Sequence, residues 1–145
     1  MLAGNQQGVV AVVDDDPRVR ESLQDLLASA GIETRLFQSA EEILENNGLE
    51  TAGCLITDVR MSGIDGCELH RLALAEFPNL PIIFITAHHD EKIHQKALRM
   101  GAFAFLHKPF DGEKLLSAVG AALLHIKNVD GKGASYTSSA PGADG

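Results

Sequence analysis

The chain has no tryptophan, one tyrosine and only two cysteines. Two thiols cannot make a disulfide framework, so the fold must rest on an apolar core, and 145 residues suffice for one. Cys54 lies inside an apolar run, and both it and Cys67 are expected to behave as small buried hydrophobes in a reduced, cytoplasmic setting. Basic residues are also scarce. Twelve Lys and Arg stand against twenty Asp and Glu, for a net charge of −8 and a pI near 5.1. Gripping a phosphate backbone needs a basic footprint, so direct nucleic-acid binding by this domain is not expected. No uninterrupted apolar run approaches the ~18 residues of a membrane span. Residues 1–8 show no basic segment followed by an apolar stretch, and no signal peptide is expected.

What is present is a regular alternation. Val9-Val10-Ala11-Val12-Val13 reads as a buried strand, and Asp16-Pro17 as an N-cap followed by Pro at the first helical position. Val19, Leu23, Leu26, Leu27 and Ala30 follow at helical spacing up to Gly31. Residues 32–37 are a more polar strand suited to a sheet edge. Ser39-Ala40-Glu41-Glu42 has the form of a capping box and opens a short helix through Glu45. A strand over 53–58 leads through a turn-rich loop into a helix over 67–76, closed by Pro78. A strand over 82–86 precedes a helix that Asp90 can cap, carrying Ile93, Ala97, Leu98 and Met100 and stopped by Gly101. A last strand over 103–107 is followed by a helix capped by Asp111, with Leu115, Leu116, Val119, Leu123 and Leu124. Strand and helix alternate five times with short connections, which implies a doubly wound parallel α/β sheet with helices on both faces. The ordered unit is expected over residues 9–126, preceded by an extension over 1–8 and followed by a Gly/Ser-rich tail or linker over 127–145.

Open sheets of this class bind ligands beyond the carboxyl ends of their strands. Asp14 and Asp15 follow the first strand, Asp58 ends the third, Thr86 the fourth, and Lys108 follows the fifth. Carboxylates gathered at one point repel unless a cation neutralises them, and Mg²⁺ takes one or two protein carboxylates while keeping several waters. A carboxylate can also act as a nucleophile toward phosphorus. Lys108 can pair first with that carboxylate and then with the phosphoryl group, and Thr86 can offer it a hydroxyl. Asp16 has a sufficient role as an N-cap and is left out of the metal set.

The set Val12-Val13-Asp14-Asp15-Asp16, Thr57-Asp58-Val59-Arg60-Met61 with Gly66, Ile85-Thr86-Ala87, and Gly101-Ala102 through Phe105 to Lys108-Pro109-Phe110 resembles the receiver domain of two-component response regulators. The resemblance spans residues 9–126, and its wording is similar to the branch often linked to helix-turn-helix transcription regulators. It implies a flavodoxin-like (βα)5 fold with strand order 2-1-3-4-5. It further implies that Asp58 is the phosphoacceptor, that Asp15 binds Mg²⁺ directly and Asp14 largely through water, and that Arg60 lends its backbone carbonyl. Thr86 and Phe105 would form the switch pair, and a cis peptide is expected at Lys108-Pro109. The implied partner is a sensor histidine kinase, the implied role a regulatory switch rather than an enzyme, and the 90–126 face a possible homodimer surface. Two departures stand out. Ser62 occupies a position where the family usually has Pro, loosening the loop or adding a local hydrogen bond, and residues 127–145 are too few for a helix-turn-helix module.

Two other readings compete. A phosphatase or phosphomutase of the haloacid-dehalogenase type would use an aspartyl-phosphate too, but it needs a second Asp where Arg60 stands. A flavodoxin-like redox protein needs a hydroxyl- and Gly-rich phosphate loop, and Asp14-Asp15-Asp16 would repel FMN phosphate. His88, His89 and His94 cluster in sequence without a recognised ligand spacing, in a loop and on a polar helix face, and no transition-metal site is expected from them.

Overall fold

Strands without a polar face must lie where both sides of the sheet are covered. Val10–Val13 (β1), Cys54–Asp58 (β3) and Ile82–Thr86 (β4) are buried at every position. Thr34–Phe37 (β2) exposes Arg35, and Ala104–His107 (β5) is partly accessible throughout, so these two take the sheet edges. The computed structural model describes residues 9–87 and 91–128. In it the five parallel strands run in the order β2-β1-β3-β4-β5. The expected topology holds.

Helices Pro17–Ser29 (α1) and Gly112–Asn128 (α5) cover one side of the sheet; Ala40–Glu45 (α2), Gly66–Glu76 (α3) and Glu91–Arg99 (α4) cover the other. Because side chains alternate along a strand, each strand feeds two cores. Val10, Val12, Cys54, Ile56, Ile83 and Ile85 pack with Leu23 and Leu27 of α1 and Leu115 and Val119 of α5. Ala11, Val13, Leu55, Ile82 and Phe84 pack with Ile43 of α2, Leu69 and Ala73 of α3 and Ala97 of α4.

Local signals start the helices. The Asp16 carboxylate accepts the Arg18 N–H at 2.9 Å with Pro17 next in line. Ser39 accepts the Glu42 N–H at 3.0 Å, and Glu42 reaches back to the Gln38 N–H at 2.7 Å, one residue beyond the N-cap that a strict capping box would use. Asp65 caps α3, and Asp111 accepts from Glu113 at 2.8 Å at the head of α5. The Asp90 cap lies outside the described residues. Helix α5 runs past the boundary expected at 126, through Asn128, since no Gly or Pro marks its end there. Leu98 and Leu124, both among the apolar residues at helical spacing in these helices, are 49% and 55% exposed. In α4 it is Ala97 that turns fully inward, which leaves Leu98, about 100° further round, on the outside. Among the described residues no helix is long and apolar enough to cross a membrane.

Candidate functional site

The register of the sheet assembles the site. Val13 pairs with Thr57, Asp58 with Ile85, and Thr86 with His107, so the residues at these strand ends emerge along one carboxyl edge. Asp14 and Asp15 leave β1, Asp58 ends β3, Thr86 ends β4, and Lys108 follows β5. A backbone hydrogen bond of 2.7 Å from the Lys108 N–H to the Thr86 carbonyl extends the β4–β5 pairing to the lysine. The Lys108-Pro109 peptide is cis, as expected.

Lys108 Nζ donates to Asp14 Oδ2 at 2.9 Å and to Asp58 Oδ2 at 3.0 Å. Its ammonium therefore bridges carboxylates 94 and 50 positions away in the chain. Asp14 is fully buried and Asp58 nearly so, whereas Asp15 is exposed. Asp14 Oδ1 also accepts the Asp16 N–H at 2.9 Å, and Arg60 N–H reaches Asp58 Oδ1 at 3.3 Å. Carboxylate oxygens of Asp14, Asp15 and Asp58 all lie within 4.8 Å of one another.

The electrostatics follow from this crowding. Burial pushes the Asp14 carboxyl above its ordinary 3.8, with the neighbouring Asp58 charge adding to the rise, although hydrogen bonds from Lys108 and Asp16 oppose it. Burial alone would lower the Lys108 ammonium, but hydrogen bonds to Asp14 and Asp58 together hold it above its ordinary 10.5. One ammonium cannot balance three carboxylates. The donor set is all oxygen and short of positive charge, which fits a hard divalent cation.

Sequence reasoning picked out Asp14, Asp15, Asp58 and Lys108, and the fold brings these four together. Thr86 is buried at the same edge. Phe105 lies farther down the sheet, paired with Phe84, and its ring stacks on His94 with centroids 4.4 Å apart. His94 is thus packed against an aromatic rather than spread on a polar helix face; His88 and His89 lie outside the described residues. Sequence reasoning missed Arg20, whose guanidinium donates to the Asp14 carbonyl at 2.6 Å from the first turns of α1. The available signal was an arginine two turns after an acidic strand end, which is common on solvated helices.

Residues 10–120 match the sequence profile of the response regulator receiver domain. The chain is 42% identical over 114 residues to the transcriptional regulatory protein TdiR of Thauera aromatica, covering 79% of this chain and 50% of TdiR. It is 38% identical over 117 residues to the transcriptional regulatory protein FixJ of Bradyrhizobium diazoefficiens, covering 81% of this chain and 57% of FixJ. It thus spans about half the length of these curated relatives. Among solved structures it is similar to a receiver domain protein from Clostridium thermocellum, with a TM-score of 0.79 at 26% identity, covering 84% of this chain and 98% of that one. It is also similar to the response regulator StyR, with a TM-score of 0.77 at 42% identity, covering 87% of this chain and 64% of StyR.

Proposed function

The chain belongs to the receiver domain family of the response regulators of two-component systems, and on that premise we propose that it is a phosphorylation switch with Asp58 as the phosphoacceptor. One observation carries the reading: Lys108 bridges Asp14 and Asp58 beside the exposed Asp15. The Asp58 carboxylate attacks the phosphorus of a phosphohistidine on a sensor histidine kinase. A P–O bond forms, the P–N bond breaks, and its electron pair returns to the ring nitrogen. Asp15, Asp58 and the Arg60 carbonyl would hold Mg²⁺, with Asp14 acting largely through water; the ion supplies charge neutralisation for the transferring phosphoryl group. Lys108, already within hydrogen-bond reach of Asp58, then pairs with the phosphoryl oxygens. Thr86 turns its hydroxyl toward them, and the Phe105 ring moves inward into the space that is freed.

The same reading makes the domain a regulator of a partner or of a further output domain, in transcription as the names of TdiR and FixJ suggest, within the cytoplasm. The acidic domain does not itself grip nucleic acid. The 90–126 face, on which Leu98, Phe103 and Leu124 are exposed, is its candidate homodimer surface. The phosphatase alternative finds Arg60 where its second acid should stand.

Incubation with Mg²⁺ and acetyl phosphate should add one phosphoryl group, read by intact mass. Asp58→Asn should abolish the gain. Undiminished uptake by that variant refutes the assignment.

A further inference from the structure

Seven residues, 59–65, join β3 to α3 and contain the carbonyl of Arg60. A loop of this length needs fixing if one of its carbonyls is to serve as a ligand. At its start Arg60 N–H meets the Asp58 carboxylate, and at its end the Gly66 N–H donates to the Val59 carbonyl at 2.8 Å while Asp65 caps α3. Ser62 does not do the fixing. It is exposed, and its hydroxyl makes no hydrogen bond among the described residues. The middle of the loop is instead held from another element. Glu41, in the first turn of α2, accepts the Ile64 N–H on Oε2 at 3.0 Å, across 23 positions of chain.

Two glycines show how closely the loop is fitted. Gly63 has φ +79°, and a Cβ there would stand 2.5 Å from Glu41 Oε2. A Cβ on Gly66 would overlap the Asp58 carbonyl oxygen. The loop backbone thus lies directly against the Glu41 carboxylate on one side and the phosphoacceptor strand on the other. The hydrogen bond from Ile64 also holds the Glu41 carboxyl below its ordinary value, as expected for an acceptor in use.

We propose that Glu41 is a positioning residue for the acid pocket: its carboxylate, through the Ile64 N–H, sets the β3–α3 loop and hence the Arg60 carbonyl, in place of the stiffening proline that Ser62 replaces. This rests on the Asp58 reading above and extends it, because it makes helix α2 a lever on cation binding. A first-turn glutamate normally does no more than favour its own helix terminus; this one also ties down the loop beside the nucleophile.

The test uses the full ¹⁵N-labelled chain as wild type, Glu41→Ala and Glu41→Gln. In Glu41→Ala the Ile64 amide should exchange about tenfold faster, as for loss of one hydrogen bond, while Gly66 is unchanged. Mg²⁺ affinity, followed through the Asp15 and Arg60 amide shifts, should fall about tenfold, as when a ligand-orienting partner is lost. Glu41→Gln keeps an acceptor oxygen and should restore both. Wild-type exchange at Ile64 in the alanine variant overturns the proposal. Faster exchange with unchanged Mg²⁺ affinity reduces Glu41 to a structural contact and overturns it equally. The two readings fail separately: absence of phosphoryl uptake at Asp58 refutes the switch, while the Ile64 and Mg²⁺ readouts still decide the role of Glu41.

Discussion

Toward α1 and α5 the sheet presents valine, isoleucine and Cys54 to leucines, valine and alanine, and no buried member of that cluster carries an aromatic ring. Toward α2, α3 and α4 the same strands present Phe84, and rings continue outward from it. His70 of α3, fully buried, meets Phe84 edge-on at 5.3 Å. Phe84 meets Phe105 at 6.0 Å, and Phe105 stacks on the partly exposed His94 of α4. Among the described residues neither ring nitrogen of His70 has a hydrogen-bond partner. One face is thus branched aliphatic packing, which locks by interdigitation and resists any change of volume. The other is a line of flat groups running from an unsatisfied histidine in the core to the surface, and it includes the ring proposed to move. On the proposed reading, stability and switching are drawn from opposite sides of one sheet.

The sharpest way to break that division is Leu27→Ala on the aliphatic face. It should cost about 2–5 kcal/mol, read as a lowered urea midpoint, since the cavity is fully enclosed. The Mg²⁺-dependent labelling rate of the folded fraction should not change; a matching loss of labelling would mean that the two faces are not separable. Next comes His70→Leu, which removes two unpartnered polar atoms at similar volume and should stabilise the fold by about 1–3 kcal/mol. The same substitution isolates a pH effect. Burial lowers the His70 pKa below its ordinary 6.5, so the unfolded chain binds the proton more readily than the folded one. Stability from this group is therefore intact above about pH 6.5 and declines as the pH falls below it, and the difference between wild type and His70→Leu should widen over that range. No widening would mean that His70 is solvated in solution. The smallest expected effect is that of Phe105→Leu, about 0.5–1.5 kcal/mol from the lost ring contacts. Phosphoryl uptake at Asp58 should persist, while any phosphorylation-dependent change in size or shape should disappear; a variant that still shows that change removes Phe105 from the switch.

Much of this was legible because strand ends carry unambiguous punctuation. An apolar run that stops at a charged residue places that residue, and the repeat of this pattern in β1, β3 and β5 marks Asp14, Asp58 and Lys108 for one edge. The N-cap geometry of Asp16 likewise separated it from its two neighbours. Glu41 was not legible. Its neighbour Glu42 satisfies the local capping pattern, and the Ile64 contact depends on how α2 docks over the β3–α3 loop. His70 was hidden for a related reason. It adjoins Leu69 on the inward face of α3, and periodicity alone treats a histidine there as a polar interruption. The exposure of Leu98 and Leu124 was not legible either: leucine spacing marks a helix face, not how far the sheet reaches beneath it.

The two cysteines differ more than their spacing suggests. Cys54 is sealed inside the aliphatic face, and burial pushes its thiol up to about 12. Cys67, in the first turn of α3, is only half-buried, though burial and the nearby Asp65 raise its thiol as well. Alkylation proceeds through the thiolate at an accessible sulfur. The native chain should therefore take a maleimide spin label or fluorophore at Cys67 alone, on the helix that begins where the reactive loop ends. No residue has to be removed to make the attachment unique. Modification of Cys54, when it comes, marks the moment the sheet itself opens, so ordinary labelling chemistry can time both the switch and the unfolding of the domain.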